Sequence, residues 1–227
     1  MTLEVEFLLG TDGAKSAAVN NHTVVMIDAL RASTTIVTLV MKGIKLQPVP
    51  SIEEWKGIII GEENGSRIRG CLLNNSPTEV NEASIPPNEI IGIKTTNGTN
   101  CIINAKSERN DVLIGSALNA RSTAVLAQHI ALQKNTPISF VLAGRKGDMA
   151  PDDLYVASLI YGYLTIPATV RGEIQPHVVD DLYSALLGTE SGQGLIGLGY
   201  EKDIMASSQI NISEVVPVYD GTLISAY

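Results

Sequence analysis

Five stretches of this chain are apolar on consecutive residues rather than on alternate ones: TVVMIDAL (23–30), GIIIG (57–61), EIIGIKT (89–95), DVLIGSA (111–117) and PISFVLAG (137–144). A strand with one wet face alternates apolar and polar residues, whereas a strand covered on both faces has no need to. Five such runs require a layer on either side of a sheet. Residues 34–42, 119–132, 152–164 and 178–187 read as the helices that form those layers. The second of them carries Ala120, Ala124, Ala127 and Ala131 at helical spacing. Strand followed by helix, repeated, predicts an α/β fold: a three-layer α/β/α sandwich on a mainly parallel or mixed sheet.

The chain has 227 residues, 44% of them hydrophobic, enough for one sizeable core or two small ones. Only 4% are aromatic, so the core must be aliphatic. No linker, low-complexity tract or fixed-period repeat interrupts it, and residues 1–227 read as one unit. A division into two subdomains would fall near 166–176. The last stretch, EVVPVYDGTLISAY, reads as short strands broken at Pro217 and turned at Asp220-Gly221.

Sixteen Lys and Arg against 24 Asp and Glu give a formal charge of −8. That balance speaks against a nucleic-acid binder, which carries a basic face, and against attraction to an anionic membrane surface. Cys71 and Cys101 have neither a C-x-x-C pattern nor histidines at zinc spacing, and read as packed thiols of a reducing compartment. The N-terminal residues MTLEVEFLLGTDGAK have no basic region ahead of their short apolar run, unlike a secretory leader. A soluble, cytoplasmic protein is expected.

The runs end alike. After 23–30 come Arg31, Ala32, Ser33 and Thr34; after 89–95 come Thr96, Asn97, Gly98 and Thr99; after 111–117 comes Asn119; after 137–144 come Arg145, Lys146, Gly147 and Asp148. In open α/β sheets ligands bind beyond the carboxyl ends of the strands, where helix N-termini favour anions. Ser, Thr and Asn are also ordinary helix caps, and taken one at a time each junction reads as a cap. SPTEV shows how: Ser76, Pro77 and Glu79 fit a capping box with proline at the first helical position. Capping does not explain Arg31 directly after a buried strand carrying Asp28. The two could pair with each other, or hold a phosphate and a metal ion respectively.

Other features point less far. His22, His129 and His177 stand outside any metal-ligand spacing. GTESGQGLIGLGY is glycine-rich but lacks the lysine and the strand-turn-helix setting of a nucleotide loop. Asp152 and Asp153 follow Pro151 in the first turn of a helix, where acids meet the dipole favourably, a reading about as good as a metal-binding one. Asp180 and Asp181 read as helix surface.

At these residues the chain resembles the 2-phosphosulfolactate phosphatase family. The motifs are IDALRASTTIV (27–37), GEENGSRIRGCLLNNSPTEV (61–80), KTTNGT (94–99), IGSALNA (114–120), LAGRKGDMAPDDLYVAS (142–158) and GYEKDIMASSQINISEVVPV (199–218). Each is weak alone; the ordered set, spread over most of the chain, is specific. The resemblance implies an α/β/α fold and a Mg²⁺-dependent phosphatase. It would convert 2-phospho-3-sulfolactate to 3-sulfolactate and phosphate on the route to coenzyme M. The family pattern carries over at Asp28, Arg31, Ser33, Thr34, Glu62, Asn75, Ser76, Pro77, Thr96, Asn97, Gly98, Thr99, Asn119 and Asp153. The chain departs from it at Glu63, where arginine is usual, at Leu142, where cysteine is common, and at Asn74, which replaces glycine. An anion at 63 predicts weaker binding of a substrate with several negative charges.

The expected site follows. Asp28, Arg31, Glu62 and Asp153 form its catalytic group, with Asp28 and Glu62 as metal ligands and Arg31 as a bidentate phosphate clamp. Ser33, Thr34, Asn75, Ser76, Thr96, Asn97, Gly98 and Thr99 cradle the phosphate. Arg145 and Lys94 meet the carboxylate or sulfonate. The partner is a small phosphorylated molecule, and a homodimer suits an enzyme this size. Two other readings stand beside this one. The chain could be a non-catalytic anion or metabolite binder on the same fold, or its polar strand ends could be caps alone.

Overall fold

In the computed structural model, which describes residues 2–227, all five continuous apolar runs are strands of one sheet, buried almost throughout. In chain order the first half holds β1 (Leu3–Leu9), α1 (Gly10–Val19), β2 (Thr23–Ile27), α2 (Ala32–Met41), β3 (Lys45–Pro48), β4 (Ile59–Glu63), β5 (Ser66–Arg67), α3 (Pro77–Glu82), β6 (Ile90–Lys94) and α4 (Gly98–Asn104). The second half holds β7 (Val112–Ile114), α5 (Ala120–Lys134), β8 (Ile138–Leu142), α6 (Pro151–Gly162), β9 (Ala168–Arg171), α7 (Leu182–Leu187), α8 (Glu190–Gly197), α9 (Glu201–Ser207), β10 (Pro217–Tyr219) and β11 (Ile224–Ala226).

The sheet order is β5-β4-β6-β3-β11-β10-β7-β2-β8-β1-β9. Strands β7, β2, β8, β1 and β9 are mutually parallel, as are β3, β6 and β4. The β10–β11 hairpin joins the two blocks through antiparallel pairings on both its sides. Three antiparallel steps in succession reverse the second block relative to the first. Strand twist of roughly 20–25° per neighbour, accumulated over the five steps from β2 to β6, rotates that block by roughly 100–125° relative to the first. The carboxyl ends of β2, β4, β6 and β8 thereby come to one place.

One core lies on the face where α1, α2 and α4 pack, and it draws on both blocks, from Met26 and Ile114 to Ile60 and Ile93. The opposite face of the first block packs under α5, α6 and α7–α9 around Phe7, Phe140 and the alanines of α5. This is the three-layer α/β/α sandwich on a mixed sheet. Among the described residues no helix is long and apolar enough to cross a membrane.

Several expectations shift. Strand β1 was missed, although its alternating burial, with Leu3, Val5 and Phe7 inward, is a half-buried strand pattern. The helix expected over 178–187 starts only at Leu182, because Asp181 is its cap and accepts from the Tyr183 and Ser184 N–H groups rather than lying on a helix surface. Segment 166–176 holds the edge strand β9, paired to β1. Pro217 begins β10, and Asp220 closes the next turn by accepting from the Thr222 and Leu223 N–H groups.

Candidate active site

A cleft of about 150 Å³ opens where the four strand ends meet. Its wall carries Asp28, Arg31, Glu62, Asn75, Thr96, Asn97, Arg145 and Asp153. These eight are the sequence-predicted site residues that the fold brings together.

Three side chains hold the strand ends to one another. Near the end of β4, Glu62 accepts from the Thr96 N–H at 2.6 Å and the Gly65 N–H at 2.7 Å, fastening β4 to β6. Asn97 Nδ2 donates to the Gly144 carbonyl at 2.9 Å, joining β6 to β8 across the two blocks. Asp153 accepts from the Ala29 N–H and the Gly144 N–H, each at 2.8 Å, and so fixes the end of β2 to the end of β8. Arg145 follows at the foot of a tight hairpin. Lys146 and Gly147 there both have positive φ, 52° and 89°, as a two-residue type I′ turn requires.

The remaining predicted residues stand behind the wall, because their polar groups are used within the chain. Ser33 Oγ accepts from the Asp28 N–H at 2.9 Å, and Thr34 Oγ1 donates to the Ala29 carbonyl. Thr95 and Thr99 exchange hydroxyl and N–H bonds at 2.8 and 2.9 Å, which is why a buried strand can stop at that run of hydroxyls. Gly98 presents its N–H to Asp28. Ser76 caps α3 as expected and donates to Asp203, while Glu79 turns to the Asn74 N–H instead of completing the box. Lys94 donates to the Thr95 carbonyl and is not on the wall.

Arg31 needs a correction. It pairs neither with Asp28 nor freely with an oxyanion. Nη1 donates to Asp203 at 2.8 Å, Nη2 to the Gly65 carbonyl at 2.7 Å, and the guanidinium lies over the Tyr200 ring. The expected bidentate fork is therefore committed to the protein, and Arg31 gives the wall its charge. Glu63 needs one too: it is exposed and off the wall, so the anion there does not face the cleft.

Sequence reasoning weighed a metal-binding role for Asp152 but left it out of the expected site, and it missed Lys146 and the α8 residues Ser191, Gly194 and Leu195, all on the wall. The adjacent acids after Pro151 were signal enough for Asp152, but a dipole reading explained them equally well. The glycine-rich stretch was set aside because it is no nucleotide loop; it folds as α8, where Gly192 lets the helix lie against the Leu186 carbonyl of α7 and Gly194 lines the cleft.

The electrostatics are those of crowded carboxylates. Burial, then the charge of Glu62, raises the Asp28 pKa to about 7. Burial raises Asp152 to about 6, against the relief from its own N–H, Ser191 and Arg145. Asp153 is held well above the usual range by burial and by Asp152 and Asp28. The cations at the mouth are compensated, since Arg145 Nε lies 3.2 Å and Lys146 Nζ 3.7 Å from Glu190. Among the described residues no three His, Cys, Asp or Glu side chains form a ready metal cage. Magnesium does not need one, because it keeps several waters and takes one or two carboxylates plus substrate phosphate. Two buried oxygens on the wall, Asp152 Oδ1 and Asn75 Oδ1, have no hydrogen-bond partner. Hard, unpartnered oxygen donors beside Asp28 fit such an ion.

The fold and site define a class: an α/β/α enzyme with a carboxylate-lined, cation-rimmed cleft at its strand ends. A model of the 2-phosphosulpholactate phosphatase family matches residues 10–222. The chain belongs to that family of phosphoric monoester hydrolases. It is 31% identical to a 2-phosphosulfolactate phosphatase of Methanocaldococcus jannaschii over 87% of this chain and 89% of that protein. It is 28% identical to a probable 2-phosphosulfolactate phosphatase of Clostridium acetobutylicum over 96% and 97% respectively.

Proposed function

We propose that this chain is a Mg²⁺-dependent phosphatase that releases phosphate from 2-phospho-3-sulfolactate, leaving 3-sulfolactate for the route to coenzyme M. The relatives' names supply the substrate. The observation that carries the reading is the charge on one wall: Asp28, Glu62, Asp152 and Asp153 against Arg31, Arg145 and Lys146, the last two already facing Glu190. A ligand bearing phosphate, carboxylate and sulfonate would be repelled by that set alone. Asp28 would hold a divalent ion, which when bound would supply charge stabilisation to the phosphoryl oxygens; Glu62, expected beside it as a ligand, has both oxygens taken by the Thr96 and Gly65 N–H groups and braces the strand ends instead.

The chain's own groups do the rest. Arg145 and Lys146 leave Glu190 to meet the two acid groups remote from phosphorus. Arg31, held rigid by Asp203, keeps positive charge at the phosphoryl end. Glu62, Asn97 and Asp153 fix the strand ends so that water meets phosphorus in line as its bond to the substrate's C2 oxygen breaks. A homodimer in the cytoplasm is part of the same reading, checked by light scattering of the purified protein.

The test is phosphate release from 2-phosphosulfolactate and from a panel of simpler phosphate esters, with Mg²⁺ and again with chelator. Chelator-sensitive turnover that prefers the sulfonated ester is expected. No turnover on any ester would leave a non-catalytic binder, and turnover untouched by chelator would remove the metal.

A further inference from the structure

We infer that Asp152, the acid next to the family-matched Asp153, gives its free carboxylate oxygen to the divalent cation, and that Asp153 does not. The inference rests on the phosphatase reading above through that cation. Consecutive residues of a helix point about 100° apart, so the two adjacent acids present their carboxylates in different directions. Asp153 faces the strand ends and spends both oxygens on the Ala29 and Gly144 N–H groups. Asp152, only 2% exposed, lines the cleft with Oδ1 unpartnered.

That orphan is not ordinary packing noise. Among the described residues five buried side-chain atoms lack a partner, and three are hydroxyls away from the cleft wall: Thr35 of α2, Thr123 of α5 and Ser207 of α9. The other two, Asp152 Oδ1 and Asn75 Oδ1, are acceptors on the same wall. A buried acceptor without a donor destabilises the fold, and a carboxylate more than an amide. Arg145, whose charge partly relieves Asp152, donates its Nε to Glu190 rather than to that oxygen. Asp152 also shares its wall with Asp28, so what it lacks is positive charge rather than a neutral donor. A hard dication fits that requirement.

Full-length wild type, Asp152→Asn and Asp153→Asn are compared in two measurements, Mn²⁺ binding by electron paramagnetic resonance and thermal melting in chelator. Asp152→Asn is expected to weaken Mn²⁺ by about tenfold or more. It should melt in chelator at or above the wild-type temperature, because the orphan charge is gone. Asp153→Asn should melt lower, having lost its clip, and should lose less Mn²⁺ affinity than Asp152→Asn does. Wild-type binding with Asp152→Asn unchanged overturns the inference and leaves the phosphatase reading standing. A large drop in the melting temperature of Asp152→Asn makes Asp152 a packing residue and overturns it equally. Wild-type protein that binds no Mn²⁺ removes the cation from both readings.

Discussion

Arg31 and Asp203, separated by 172 residues of chain, form an ion pair at 2.8 Å whose side chains are 2% and 0% exposed. Asp203 also accepts from the Ser76 hydroxyl and from the Thr78 hydroxyl and N–H. One carboxylate on α9 thereby anchors both the start of α3 and the guanidinium at the cleft.

Removing it leaves a buried, unpaired cation. Asp203→Ala should cost about 3–5 kcal/mol of stability, the penalty for breaking a buried pair from one side. Denaturant unfolding measures it. A loss no larger than an exposed ion pair gives would show that water reaches Arg31.

Gly98 stands against Asp28. A Cβ there would lie 2.5 Å from Asp28 Oδ2 and 3.2 Å from the Ala32 Cβ. Gly98→Ala must push the carboxylate aside, and a misplacement of that order lowers turnover about 100-fold. The overpacking should cost about 1–3 kcal/mol of stability, so the protein remains folded. Turnover near wild type would mean that the position of Asp28 does not matter to the reaction.

Asp28 and Asp152 bind protons more tightly folded than unfolded, with pKa values of about 7 and about 6 against 3.8. As pH rises from 4, the unfolded chain gives up those protons first, so the folded state loses ground until its own carboxylates ionise near 7. The metal-free protein should therefore melt at progressively lower temperature across this window, and Asp28→Asn should flatten the slope. Melting curves in chelator at a series of pH values decide it. A wild-type melting temperature that rises through the window contradicts the raised values.

Arg145 and Lys146 share Glu190 in exposed pairs, and such pairs add about 1 kcal/mol or less to stability. Arg145→Ala should leave melting almost unchanged yet raise KM for a multiply charged ester about tenfold, equivalent to roughly 1.4 kcal/mol. Glu190→Gln should do the reverse and lower KM by freeing both cations. Steady-state kinetics with a sulfonated and a plain phosphate ester separate the effects. Equal KM changes for both esters would place Arg145 at the phosphate instead.

The layered α/β/α class was legible because apolar periodicity is a local property: runs such as 23–30 and 137–144 state by composition alone that both their faces are covered. The polar strand ends were legible as a set for the same reason, and eight of the expected site residues do reach one cleft. The partner of each polar group was not legible. Ser33, Thr34, Ser76 and Thr99 have the chemistry of phosphate ligands and of caps alike, and only their distances to Asp28, Ala29, Asp203 and Thr95 made them internal braces. Asp152 and Asp153 are identical in type and adjacent on one wall, and only the fold around them gave Asp153 two N–H partners and left Asp152 with an unpartnered oxygen. The Asn97–Gly144 bond across the two blocks and the Arg31–Asp203 pair depend on how the twisted sheet brings distant segments together. Sequence sets which groups are polar and which strands are buried; tertiary structure decides which polar groups find each other, because a hydrogen bond is selected by ångström-scale distance and direction rather than by position along the chain.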